Sequence, residues 1–136
     1  MAKKLTTIAE VEKLDDVLAF LDSFLEENNC PPKPQMQLDV ALEEMFINVA
    51  NYAYSPEKGD VCIEIESSDN KNGVIVTLTD SGVPYNPLEK PDPDITLSVA
   101  ERQIGGLGIF MVKKSMDEVS YEYKNNQNIF KMKKFW

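Results

Sequence analysis

The chain has 136 residues, 43% of them hydrophobic and 27% charged, a length and balance that fit one globular domain with its own core. Its net charge of −9 and pI near 4.5 set it against nucleic acid and anionic membranes as direct partners. It contains no histidine, which excludes Ser-His-Asp and Cys-His nucleophile systems, HExxH metal sites and a phosphohistidine, and leaves chemistry to carboxylates, amides, backbone groups or a bound metal.

In chain order, "KLTTIA" alternates as a short strand. "AEVEKLDDVLAFLDSFLEENN" sets Val11, Leu14, Val17, Leu18, Leu21, Phe24 and Leu25 on one helical face, which predicts a core-facing helix with an acidic outer side. "CPPKP" stops it, because proline lacks the N–H that a helix interior needs. A second helix is predicted from about Gln35 to Tyr54, with Leu38, Leu42, Met45, Val49 and Ala53 as its apolar stripe. "DVCIEIES" and "VIVTLTD" alternate on either side of "NKNG" and predict a hairpin. From Ser81 to Ile104 periodicity is lost and four of the eight prolines fall in the segment, the pattern of a functional lid or a linker. "GGLGIFMVKKSMD" then predicts a third helix, and "EVSYEYK" with "NIFKMKKFW" a closing hairpin. The cluster Lys131, Lys133 and Lys134 reads as the solvated side of an edge strand. Strands joined as hairpins with helices between them predict an α+β fold, a largely antiparallel sheet covered on one face by helices.

Cys30 and Cys62 form no CxxC pair, so they read as reduced, partly buried thiols. No apolar run approaches ~18 residues, and "MAKKLTTIAE" lacks the apolar core of a signal peptide. The expected location is the cytoplasm, with no membrane contact.

Four groups of residues carry candidate chemistry. In "ALEEMFINVANYAY", Glu44, Asn48 and Asn51 fall within one arc of the second helix, beside the apolar stripe and free of lysine or arginine. A carboxylate there can act as a general base, and the amide oxygen of Asn48 is a neutral hard ligand suited to Mg²⁺. The same residues also suit the solvent side of an ordinary helix. "LTDSGVP" ends a strand in Asp80, whose carboxylate can accept from an exocyclic amine such as adenine's, and Gly82 lets a flat ring approach the backbone; it is equally a common turn sequence. "IGGLGIFMV" places Gly105, Gly106 and Gly108 where a loop becomes a helix, a phosphate-binding arrangement that matches neither GxxxxGK[ST] nor GxGxxG. Arg102, the one arginine of the chain, precedes these glycines and offers a planar fork for a terminal phosphate, or is a surface arginine.

The order of these elements resembles the GHKL family of ATP-binding domains, which share the Bergerat fold: "ALEEMFINVANYAY" looks like the N box, "DSGVP" the G1 box and "GGLGI" the G2 box. Within that superfamily the chain most resembles bacterial anti-sigma-factor serine/threonine kinases, through "DSGVPYNPLEKPDPD" and "GGLGIFMVKKSMDEVSYEY". The resemblance implies a single ATP-binding kinase domain over 1–136, with a lid at about 81–104. It implies Glu44 as catalytic base, Asn48 as Mg²⁺ ligand, Asp80 with Gly82 as the adenine contact, and Gly105, Gly106, Leu107 and Gly108 as the phosphate cradle, while Asn51 and Arg102 are placed at the nucleotide from their positions alone. The implied activity is ATP- and Mg²⁺-dependent phosphorylation of a serine or threonine on a small antagonist protein in a partner-switching system. A sigma factor and a second copy of the chain are the other implied partners. The alternative is a non-catalytic, ATP-gated module that sequesters a regulatory partner. Two positions depart from the family: Tyr52 stands where these kinases often have histidine, and Lys131 stands in the last strand, where a threonine near the adenine is common.

Overall fold

A computed structural model describes residues 2–54, 57–68, 72–89 and 106–136. Strand β1 (Ala2–Ile8) leads through a 3₁₀ turn (Val11–Lys13) into α1 (Leu14–Glu27) and α2 (Pro32–Tyr52). The hairpin strands β2 (Asp60–Ser67) and β3 (Gly73–Asp80) follow, then a second 3₁₀ turn (Pro87–Glu89), α3 (Gly106–Ser115), β4 (Glu118–Lys124) and β5 (Gln127–Phe135). The strands form one sheet in the order β1-β2-β3-β5-β4, each neighbour antiparallel. This is the α+β arrangement expected, with helices on one face.

Register explains why that face is buried. Leu5, Ile63, Leu78, Phe130 and Tyr121 lie opposite one another across the strands, and the next inward row runs Ile65, Val76, Met132 and Val119. Against these rows α1 buries Val17, Leu21, Phe24 and Leu25, and α2 buries Leu38, Ala41, Leu42, Met45 and Phe46. Ile109 and Val112 of α3 complete the same core. The third inward row changes chemistry. It runs Val61, Asp80, Asn128 and Tyr123, so the sheet ends in a buried carboxylate facing a buried carboxamide.

Three expectations are corrected. The second helix begins at Pro32 rather than about Gln35, because a first-turn N–H has no acceptor within the helix and proline at N1 forfeits nothing. Val11 belongs to the 3₁₀ turn, 49% exposed, and not to the core face. Strand β5, which carries Lys131 and Lys133, lies between β3 and β4 and is not an edge; those lysines stand on the face of the sheet away from the helices, and Thr77 of β3 sits between Glu64 and Lys131 there. Lys134 donates to the Ser115 carbonyl at 2.7 Å, satisfying an orphan group at the C-terminus of α3.

Turn chemistry supports the topology. Asn125 and Asn126 both have positive φ, 54° and 61°, as a two-residue β4–β5 hairpin of the I′ kind requires. Asn29, with φ 57°, reverses the chain after α1. Both cysteines are free and half-buried. Among the described residues no helix is long and apolar enough to cross a membrane.

Between α1 and α2 the packing traps negative charge. Asp39 Oδ1 is buried with no hydrogen-bond partner among the described residues, while Gln35 Nε2 donates to Asp22 Oδ1 at 3.0 Å. Burial, then a hydrogen bond to the Asp22 side chain, then the charges of Asp22, Glu26 and Glu43 raise the Asp39 pKa to about 7. A carboxyl whose pKa is higher folded than unfolded holds its proton better in the native state. Its stabilising contribution is therefore complete below the ordinary carboxyl pKa and is lost as the pH rises to about 7. Asp39→Asn is expected to raise the thermal midpoint at pH 8, with the gain shrinking toward pH 4. Melting curves across that range check it, and equal midpoints at pH 8 would remove the trapped-charge account.

Candidate functional site

Asp80 and Asn128, at the polar end of the sheet, form the base of a pocket that is open to solvent at its mouth. Helix α2 supplies one wall through Met45, Asn48, Val49, Tyr52 and Ala53. Leu78 and Asp80 come from β3, Val83, Tyr85 and Pro87 from the segment after it, Tyr121 from β4, and Asn128 and Phe130 from β5. The walls are thus mostly apolar or aromatic, with few polar groups, the usual make-up of a small-molecule site.

Asp80 is 6% exposed, and its Oδ1 accepts from the Gly82 N–H at 2.9 Å and from Asn128 Nδ2 at 2.9 Å. The turn that follows is pressed onto the end of α2: Val83 N–H donates to the Ala53 carbonyl at 2.9 Å. A Cβ on Gly82 would come within 2.6 Å of Ala53 Cβ and closer still to that carbonyl, so glycine is required here by contact with backbone. The Tyr54 hydroxyl ties the same turn to β2, donating to the Asp60 carbonyl at 2.6 Å and accepting from Ser81 N–H at 2.7 Å. Burial pushes the Tyr54 pKa up, with the Ser81 N–H opposing it.

Tyr52 is 53% exposed, and its ring lies 6.1 Å from that of Tyr85 at 44°, so two aromatic rings flank the mouth. One turn back along α2 is Asn48, and one turn further Glu44. The Glu44 carboxylate lies against Gly108 of α3, where a Cβ would meet its Oε2 and would stand 2.8 Å from its Cδ. Glu44, Asn48 and Tyr52 therefore mark a line about 12 Å long at 1.5 Å rise per residue. The line runs from the start of α3 to the aromatic mouth beside Asp80.

The structure thus brings Asn48 and Asp80 to one pocket and Glu44 to Gly108 beside it. It does not bring Asn51 there: Asn51 is exposed and lines a separate groove with Glu10, Val11 and Lys58, because its ~60° offset from Asn48 turns it toward the first 3₁₀ turn. Gly106 and Leu107 open α3, whereas Arg102, Gly105 and the lid beyond Glu89 lie outside the described residues. Lys131 faces the opposite side of the sheet from the pocket, and the polar side chain that the last strand contributes to the pocket lining is Asn128 instead. Asn128 is the site residue missed in the sequence. Its signal was parity, since it shares the inward side of β5 with Phe130 and Met132, and a buried polar residue in a core row calls for partners.

Residues 7–134 match the model of the histidine kinase-like ATPase domain. The chain belongs to this family. It is similar to the serine/threonine-protein kinase BtrW of Bordetella bronchiseptica, at 21% identity over 113 residues, which cover 83% of this chain and 79% of that protein. A chain of the SiaB–SiaC complex from Pseudomonas aeruginosa has the same fold, with a TM-score of 0.62 over 97% of this chain and 89% of that one at 14% identity. The family's name implies ATP binding, and a buried acceptor in an apolar, aromatic pocket is chemically suited to a flat ring with an exocyclic amine.

The two glycines respond differently to a methyl group. At Gly82 the obstacle is backbone, so Gly82→Ala is expected to destabilise the fold by about 1–3 kcal/mol. At Gly108 it is the movable end of Glu44, so Gly108→Ala is expected to leave stability nearly unchanged while displacing the carboxylate. Urea denaturation of the two variants checks this, and equal losses would contradict the distinction.

Proposed function

We propose that the chain is a single ATP-binding domain, 1–136 with a lid at about 81–104, acting as an ATP- and Mg²⁺-dependent serine/threonine protein kinase. Its substrate is a small antagonist protein of a partner-switching system, and a sigma factor is the regulatory partner, in the cytoplasm. The observation that carries this reading is the Glu44 carboxylate held against Gly108, with Asn48 one turn away in the pocket that also holds Asp80. Similarity to a protein named a serine/threonine-protein kinase supports the choice of acceptor.

In this reading adenine occupies the apolar pocket and gives its exocyclic amine to Asp80. The phosphates run along α2 toward the start of α3, where the first amides of a ten-residue helix and its dipole favour anions. Glu44 then stands at the phosphate end and receives the proton of the substrate hydroxyl as its oxygen bonds to the γ-phosphorus and the bond to the β-phosphate oxygen breaks, releasing ADP. Among the described residues no group of three or more acidic or cysteine side chains is arranged to hold a metal, so Mg²⁺ would be held by Asn48 together with phosphate oxygens and water. When bound it supplies neutralisation of phosphate charge.

Glu44→Gln keeps the side-chain volume and removes the base. It is expected to lower phosphate transfer by about 10²–10⁴-fold while ATP affinity stays within a few-fold. Incubating the protein with labelled ATP, Mg²⁺ and the small antagonist domain encoded beside it measures this. No label transferred by the wild-type protein would remove the kinase reading in favour of an ATP-gated binding module, and full transfer by Glu44→Gln would remove the base.

A further inference from the structure

Asn128 has its orientation settled by the chemistry of its neighbours. The backbone N–H of Tyr85, 3.1 Å from Oδ1, can only donate, and the Val83 carbonyl, 2.9 Å from Nδ2, can only accept. Oδ1 also accepts from the Tyr121 hydroxyl, and Nδ2 also donates to Asp80 Oδ1 at 2.9 Å, with the Gly82 carbonyl further off at 3.5 Å. Burial raises the Tyr121 pKa, which keeps its phenol protonated as a donor. A carboxamide offers two N–H groups and one oxygen with two lone pairs, and here all four are committed within the protein. Asn128 lines the pocket yet has nothing left to give a ligand.

The consequence falls on Asp80. Its Oδ1 accepts twice, from Gly82 N–H and from Asn128, so the carboxylate cannot turn without breaking both bonds. Among the described residues no hydrogen bond falls on Oδ2. The polar chemistry the strands offer at this end of the pocket reduces to one fixed acceptor with no adjacent donor, set among Met45, Leu78, Val83 and Phe130. We propose that Asn128 is the positioning residue that sets base selectivity, by fixing the direction of the Asp80 carboxylate, an acceptor through either oxygen, so that it meets the ring position where an amine is taken and a carbonyl is rejected. The proposal rests on the reading of this pocket as the ATP site. A carbonyl placed against the locked carboxylate would leave two acceptors facing each other without a proton, which weakens binding by roughly 10- to 100-fold. The same side chain grips the backbone of Val83 and Tyr85, so base selection and the course of the chain leaving β3 depend on one amide.

The test is calorimetric binding of ADP and IDP, which differ in a 6-amino against a 6-oxo group. The wild-type protein is expected to prefer ADP by at least about tenfold. Asn128→Ala frees Asp80 to turn and is expected to bring the two affinities within about threefold of each other. Asn128→Asp sets two carboxylates face to face, which must share a proton. Its ADP affinity relative to wild type is therefore expected to fall as the pH rises from 6 to 8. Tyr121→Phe removes only the hydroxyl donor and is expected to narrow the ADP preference by a smaller factor, so it decides the matter with the Asn128→Asp pH profile if Asn128→Ala does not fold. A strut with no part in selection would lower the melting temperature of these variants and leave both the ADP-to-IDP ratio and the pH profile at wild-type values, which would overturn the proposal. Equal wild-type affinity for ADP and IDP would overturn it while sparing the nucleotide site; binding of neither would remove both.

Discussion

Strands β3 and β5 meet in a register that sets Asp80 opposite Asn128, two residues 48 positions apart in the chain. Side chains alternate across a sheet, so a slip of one residue would send Asn128 to the face that carries Lys131 and would move Phe130 and Met132 out of the core. The register is consequently fixed by the apolar rows, and the polar pair at the end of the sheet inherits its geometry from them. From that pair hang the Gly82 turn, the backbone of Val83 and Tyr85, and the Tyr121 hydroxyl. Without the core the pocket would have no base, and without the pair that base would carry no buried polar group.

Helix α2 links the pocket to the contact between Glu44 and Gly108. Its inner face is core, through Leu38, Leu42, Met45 and Phe46, and the adjoining arc presents Glu44, Asn48 and Tyr52 in successive turns. Because the same rigid element is anchored by fully buried side chains, the spacing between the Gly108 end and the Asp80 end is held by packing rather than by a loop. The two neighbouring glycines on its flank do different work: Gly82 admits the turn against Ala53, and Gly108 admits the Glu44 carboxylate.

Much of this was legible because it is local. Period-two alternation marks β2, β3 and both strands of the closing hairpin, and the 3.6-residue stripe marks α1 and α2; each signal is carried by neighbouring residues. Strand order was not legible. The lysines of β5 look like an edge to any local pattern, and only the long-range pairing with β3 makes the strand interior. The start of α2 was hidden by Pro32 and Pro34, which read as breakers although the first turn tolerates them. Asn51 shares an arc with Asn48 on a helical projection, yet a small rotation takes it to another groove, since a projection does not say where the neighbouring elements lie. Asn128 was visible as a polar residue at a core position, but its meaning depends on what stands across the sheet. The motif residues Glu44, Asn48, Asp80 and Gly108, by contrast, sit on elements whose existence the periodicity had already fixed.

The pocket base and the hydrophobic core are continuous, for Met45, Leu78 and Phe130 belong to both. A ligand seated there covers apolar surface that the fold leaves incompletely roofed, so occupancy and folding are linked equilibria. Each tenfold rise of free ligand above its dissociation constant adds about 1.4 kcal/mol to the native state. For a small domain of ordinary marginal stability that is a large share, and it makes the survival of the chain against proteolysis a gauge of its ligand's abundance.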